Sequence, residues 1–276
     1  MQVTIGKNQY HLQVDKSDYF VINPYEVAFC DGLAKTYMPL ILDSSGHGSS
    51  PSPPEFIAYR ILIDTTKPRL CILYEVYWKR QDCTWRELNK DHDHDYEAIQ
   101  LHFNLETGAI EKIAIAAGGP IEYAGHGVEL YTPTTKAESR SSQGLTSPKN
   151  AFPWGQYAIE IQILEQPMSN LAFQNQRPVI LIVNCYHVFT GLKVWHLSES
   201  QEEIMHALEI PLKRLDLALL EHWYYRNVNN RFGHDLSNPF TEPYLKYYPP
   251  PEDLKSRIAY GFLWIYHTLK RLILGQ

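Results

Sequence analysis

Two nine-residue apolar runs, Phe56–Asp64 and Leu70–Trp78, restrict the possible folds more than any other feature of this chain. Both are dense in β-branched, aromatic and long aliphatic residues, and the short segment Thr65-Thr66-Lys67-Pro68 lies between them. Such residues fit a pleated, half-buried surface. Two runs of this kind joined by a short loop predict neighbouring antiparallel strands. Residues 95–103 and 110–117 form a second pair around a turn at Glu106-Thr107-Gly108. Glu160-Ile161-Gln162-Ile163 alternates as a half-buried strand does, and Pro178–Val183 is the continuous apolar run of a buried one. Short strands recurring between turn signals predict a mostly β chain with an antiparallel β-sandwich core. The 19 tyrosines among 276 residues suit that architecture, chiefly as sheet packing.

Three stretches interrupt the pattern. Asp43–Pro54 is rich in Ser, Gly and Pro, and Thr132–Pro153 is long and polar, so both are expected to be loops. A loop as long as the second is commonly either a functional lid or rim or a disordered segment. Helical signals come late. Ser198-x-x-Gln201 and Ser200-x-x-Glu203 match the capping box, and Ile204–Leu208 follows at helical spacing. Pro211 is placed to open a second helix with Leu212, Leu215, Leu219 and Leu220 on one face. Residues 237–253, rich in Pro and Tyr, are expected to form an extended strap. These signals divide the chain into a β-sandwich domain over 1–196 and a helical extension over 197–276 packed on it.

The apolar run Ile258–Leu269, followed by Lys270 and Arg271, reads as a C-terminal helix docked on the core. It is shorter than the roughly 20 residues a transmembrane helix needs. Tyr260, Trp264 and Tyr266 would suit a peripheral contact at a lipid headgroup boundary. A net charge of −6 works against a nucleic-acid partner. Cys30, Cys71, Cys83 and Cys185 show no C-x-x-C spacing, and Met1–Val14 contains no apolar core of a signal peptide. The expectation is therefore a soluble cytoplasmic chain with reduced thiols.

The chemistry concentrates in Asp91-His92-Asp93-His94-Asp95-Tyr96-Glu97, which runs directly into the strand Ala98–Phe103. Carboxylates packed this closely repel one another unless a cation or a buried base neutralises them. Asp and neutral His are also the ligands that divalent ions take near neutral pH. On a regular strand alternate side chains share a face, so Asp91, Asp93, Asp95 and Glu97 fall in one phase and His92 and His94 in the other. A turn before Asp95 would bring one histidine round to the carboxylates.

Two segments, Tyr77-Trp78-Lys79-Arg80-Gln81-Asp82 and His92-Asp93-His94-Asp95-Tyr96-Glu97, resemble the necrosis- and ethylene-inducing-like protein family. That family carries a Gly-His-Arg-His-Asp-Trp-Glu heptapeptide preceded by a Tyr-rich strand ending in Asp. Vacuolar-protein-sorting-type relatives, which share an Asp-Trp-Glu core, are similar more loosely. Here Asp91, Asp93 and Tyr96 stand where the heptapeptide has Gly, Arg and Trp. The resemblance implies a β-sandwich and a divalent ion held by Asp82, His92, Asp95 and Glu97. Gly125-His126-Gly127 is similar to a later His-Gly segment of the family that brings a histidine near the ion. Asn184-Cys185-Tyr186-His187 is similar to the Ser-His element of the sorting-type relatives. The resemblance implies a fold and an ion, and not the toxin activity.

Two functions from different classes follow. In the first, a divalent ion (Ca, Mg, Mn or Zn) and residues such as Tyr96 and His187 hold a hydroxyl- or phosphate-bearing small molecule, a glycan or a lipid head group. In the second, the ion activates water for ester or phosphoester hydrolysis, with His94 or His126 as the base. A third arrangement, two histidines and a carboxylate holding iron, would draw on His92, Asp95 and either His126 or His187. His102 is expected to be structural. A metalloprotease His pair and a nucleophile elbow are both missing from the sequence.

Overall fold

The computed structural model describes residues 1–15, 25–44, 53–64, 66–81, 92–118, 126–145, 158–182, 187–194, 205–215 and 240. The described chain is mostly β. Its strands are β1 (Gln2–Ile5), β2 (Asn8–His11), β3 (Gln13–Asp15), β4 (Tyr25–Phe29), β5 (Leu40–Ser44), β6 (Phe56–Asp64), β7 (Arg69–Gln81), β8 (His92–Asn104) and β9 (Ile110–Gly118). They continue with β10 (His126–Thr132), β11 (Glu138–Leu145), β12 (Ala158–Pro167), β13 (Phe173–Gln174), β14 (Arg177–Ile182), β15 (Phe189–Gly191), β16 (Met205–Ala207) and β17 (Leu212–Arg214). One helix, α1 (Asp31–Tyr37), lies between β4 and β5.

The larger sheet runs β11-β12-β10-β9-β8-β7-β6-β4-β3, with β17 added alongside β6. The smaller runs β13-β14-β5-β16, with β15 on β14. Both expected strand pairs are present as antiparallel neighbours, β6 with β7 and β8 with β9. A main core joins the sheets: Ile72, Tyr74, Val76 and Trp78 of β7 pack in one cluster with Ile41, Ile180, Ile182, Phe189 and the α1 residues Leu33, Ala34 and Tyr37. The intervening residues Cys71 and Leu73 are buried in a second cluster with Leu62 and Phe240. Strands β6 and β7 are thus covered on both faces, and their central stretches are largely apolar for that reason, interrupted by the buried Arg60 and Glu75.

Polar groups fix the ends of the core. The β6–β7 turn closes on Asp64, which accepts from Thr66 N and Oγ1, Lys67 N, and Arg69 Nε and Nη2. Tyr74 Oη donates to Ala34 O at 2.7 Å and ties α1 to the sheet. Cys30 caps that helix through Sγ, which accepts from Leu33 N at 3.4 Å. Glu129 of β10 accepts from Thr190 Oγ1, Gly191 N and Tyr131 Oη, with Lys193 Nζ 3.5 Å away. This clamp secures β15, and with it the residues that precede it, against the larger sheet. The buried tyrosines Tyr37, Tyr59, Tyr74, Tyr77 and Tyr131 confirm sheet packing as a principal use of that residue here.

Two expectations need correction. Residues 138–145, inside the expected 132–153 loop, form β11 along the outer side of β12. An edge strand has one unpaired side and a modest burial requirement, so Glu138-Ser-Arg-Ser-Ser-Gln-Gly-Leu145 carries no apolar signature. The helices expected over Ile204–Leu208 and from Pro211 are strands where they are described. Met205–Ala207 pairs antiparallel with β5, and Leu212–Arg214 runs parallel to β6. Backbone hydrogen bonds from Leu208 N to Ile41 O, Ile57 N to Pro211 O and Leu215 N to Tyr59 O hold the segment. Unpaired strand edges offered partners to every backbone group, and this overrode a weak helical spacing. The segment expected to begin a helical extension therefore supplies one strand to each sheet. The capping boxes, the proline-rich strap apart from Phe240, and the run Ile258–Leu269 lie outside the described residues. No helix among the described residues is long and apolar enough to cross a membrane.

Candidate functional site

Antiparallel order brings the C-terminal ends of β7 and β9 to the N-terminal ends of β8 and β10. The acidic-histidine motif opens β8, so it lies at this end beside Trp78. The β7–β8 ladder keeps one register throughout: Gln81 faces His92, Arg80 faces Asp93, Trp78 faces Asp95 and Val76 faces Glu97. No turn interrupts β8 before Asp95. Asp93, Asp95 and Glu97 therefore hold the phase of Trp78 and Val76, and His92, His94 and Tyr96 hold the phase of Tyr77. Only the backbone is described for His92–Tyr96, and Asp82 lies outside the described residues. Glu97 is half-buried. His126 opens β10 opposite Gly118, two strands from β8 and at the same end of the sheet.

The smaller sheet closes over this end. His187 follows β14 and is fully buried, its ring stacked on the indole of Trp78 with centroids 4.1 Å apart and planes 7° from parallel. It holds φ +55°, a left-handed conformation that costs a non-glycine residue energy. Strain of that kind gathers where a side chain must be aimed. Phe189 also lies against the indole, with ring centroids 5.8 Å apart and planes tilted by 58°. Asp43, at the end of β5, adds a carboxyl group whose pKa is pushed up by burial and pulled back by the charge of His187.

Two polar atoms around His187 are buried with no hydrogen-bond partner: Trp78 Nε1, a donor, and Asp43 Oδ1, an acceptor. Native proteins satisfy nearly all such atoms, and each exception calls for a ligand, an ion or an ordered water. Carboxylates are hard oxygen ligands of the type divalent cations take. Among the described residues no three His, Cys, Asp or Glu side chains meet at one point that would hold a metal ion.

The structure thus brings His187 onto Trp78 of β7, the neighbour of the strand that carries the motif, and it places His126 at the same end of the sheet. Sequence reading missed Trp78, Asp43 and Phe189 as parts of this site. Asp43 carried no signal, standing at the head of a Ser-Gly-Pro stretch. Trp78 stood in the segment that carries the family resemblance, yet its apolar neighbours made it look like core alone.

No family model and no curated protein matches this chain. Solved structures similar to it are necrosis- and ethylene-inducing proteins, the family that the His92–Glu97 segment resembles. One, described as a toxin fold for microbial attack and plant defense, is 10% identical and aligns over 83% of this chain and 88% of its own at a TM-score of 0.38. NLPPya in complex with mannosamine is 11% identical over 67% of this chain and 72% of its own, at a TM-score of 0.30. Necrosis and Ethylene inducing Protein 2 from the causal agent of cocoa's Witches Broom disease is 11% identical over 59% and 70%, at 0.28.

Proposed function

We propose that this protein recognises a hydroxyl-bearing ligand, a glycan or a polar head group, at the end of β8, on a β-sandwich core and with the help of a divalent ion. The observation that carries the reading is that Trp78 Nε1 and Asp43 Oδ1 are each buried without a hydrogen-bond partner, Trp78 stacked on His187 at the ladder position of Asp95 and Asp43 within reach of the His187 charge. A donor and an acceptor left open near one histidine would match a hydroxyl, which accepts from one and donates to the other. Asp95 and Glu97, two residues apart in one strand phase, would hold the ion, which when bound would supply two positive charges to polarise and orient the ligand's oxygens.

Metal analysis and sugar titration test this together. Wild-type protein is expected to carry a near-stoichiometric divalent ion that the Asp95→Ala/Glu97→Ala variant lacks. Mannosamine is expected to perturb Trp78 fluorescence in the wild type and to do so far less after chelation. Trp78→Phe, which keeps the stack and loses the donor, should weaken binding by about 1–2 kcal/mol, the size of one buried hydrogen bond. The reading fails if no divalent ion binds or stabilises the protein and no sugar alters the fluorescence. The identity of the ion sorts the alternatives: Ca or Mg favours recognition, Zn or Mn favours hydrolysis with His94 or His126 as base, and iron favours oxidation.

A further inference from the structure

β15 belongs to the smaller sheet through its pairing with β14, yet a carboxylate of the larger sheet holds it in place. Glu129 of β10 accepts from two consecutive residues of β15, Thr190 Oγ1 at 2.7 Å on Oε1 and Gly191 N at 3.0 Å on Oε2. Oε2 also accepts from Tyr131 Oη at 2.8 Å, and Lys193 Nζ stands 3.5 Å away. Burial and the Glu129 charge push the Tyr131 phenol far up, so it stays a donor. Gly191 lets β15 sit close: a Cβ there would strike Tyr131 Oη and Leu171 Cδ1. Apolar packing between the sheets is non-directional and would tolerate sliding of β15. Bonds from adjacent residues to one carboxylate do not, because hydrogen bonds weaken steeply away from their preferred geometry.

The two rings against Trp78 come from this segment. Phe189 immediately precedes Thr190, and His187 lies two residues further back, stacked on the indole with centroids 4.1 Å apart. His187 keeps φ +55°, and a strained residue of that kind persists only where its surroundings over-determine it. Trp78 Nε1 is buried without a hydrogen-bond partner, so the packed rings, and not a bond of its own, orient the indole. We propose that Glu129 is a positioning residue for the ligand site: through Thr190 and Gly191 it fixes Phe189 and His187, and through their rings the direction in which Trp78 Nε1 points. The proposal rests on the recognition function assigned to that end of the sheet. Glu129 touches neither ligand nor ion in this role. A binding group needs holding to within about 0.5 Å of its productive position, and that is what such a supporting residue supplies.

Indole ¹H–¹⁵N spectra and mannosamine titration of the full chain test this, with Trp78 assigned by the resonance that Trp78→Phe removes. Thr190→Val deletes one donor to Glu129 at nearly constant volume, Thr190→Ser keeps it, and Glu129→Gln weakens the whole set. In Thr190→Val and Glu129→Gln the Trp78 resonance is expected to shift and broaden. Mannosamine is expected to bind them about five-fold more weakly, with the divalent-ion content of the wild type retained. Thr190→Ser is expected to match the wild type in both respects. A lower Tm with an unmoved Trp78 resonance and unchanged affinity makes the clamp merely structural and overturns the proposal. So does loss of the ion from Glu129→Gln, or a Thr190→Ser variant that behaves as Thr190→Val does. Wild-type protein that binds no mannosamine defeats the recognition function instead, and the Trp78 resonance in the two Thr190 variants then decides whether Glu129 aims the indole. Should Glu129→Gln fail to fold, the two Thr190 variants carry the test alone.

Discussion

Single residues carry most of the polar specificity of this chain. Asp64 is the clearest case. Burial works against its charge, but hydrogen bonds from Thr66 and Arg69 outweigh this and hold its pKa below the usual carboxylate value. A depressed pKa in the folded state contributes stability that is complete above the unfolded value of about 3.9 and is lost as pH falls through the folded value. Urea midpoints are therefore expected to decline below about pH 4, and Asp64→Ala should flatten that decline while costing about 2–3 kcal/mol at pH 7. A decline of the same size in the variant would assign it to other carboxylates. Cys71 offers a second test. With its thiol pushed up to about 12 and wholly buried, it should stay unlabelled by alkylating reagents in the native protein, as read by peptide mass mapping. Half-buried Cys30 should label first of the two.

At the scale of elements, local chemistry and tertiary context agree in some places and conflict in others. The β13–β14 connection is a two-residue hairpin, Asn175-Gln176, with φ +52° and +67°. Both signs are those of a type I′ turn, which favours Asn then Gly. Asn175 suits its place and Gln176 does not, so Gln176→Gly is expected to stabilise the protein by about 0.5–1 kcal/mol, measured as a higher urea midpoint. No gain would mean that the Gln176 side chain contributes elsewhere. Gly108 in the β8–β9 turn follows the same rule in reverse: its φ is +68°, and a Cβ there would strike the backbone of Gly6. The paired runs 56–64 and 70–78 were legible because a strand covered on both faces must be largely apolar, and Arg60, Asp64 and Glu75 are few enough not to hide the signal. β11, β16 and β17 were not, because short or edge strands are fixed by the backbone partners they find.

The whole molecule depends on segments far apart in sequence. β16 and β17, from residues 205–214, join one sheet each, and Phe240 seals the second face over Leu62, Cys71 and Leu73. A chain ending at residue 196 would lack all three. It is expected to be recovered insoluble or unfolded by circular dichroism, and a cooperatively folded 1–196 fragment would show that the strands after 196 are dispensable. Within the full chain, Phe240→Ala should cost about 3 kcal/mol and open Cys71 to alkylation. The candidate site has the same long-range character. His187 reaches Trp78 only because β14 and β5 lie side by side and Glu129 clamps the strand that follows. The sequence by itself determined the β class, the two central hairpins and the concentration of carboxylates at the head of β8, since each is written in neighbouring residues as periodicity, turn chemistry or charge. The tertiary structure alone decided that His187 stacks on Trp78, that its charge reaches Asp43, and that Nε and Nη1 of Arg60 are buried without a partner. Contacts between distant strands follow from which edges pair and which faces close, and these depend on every element at once.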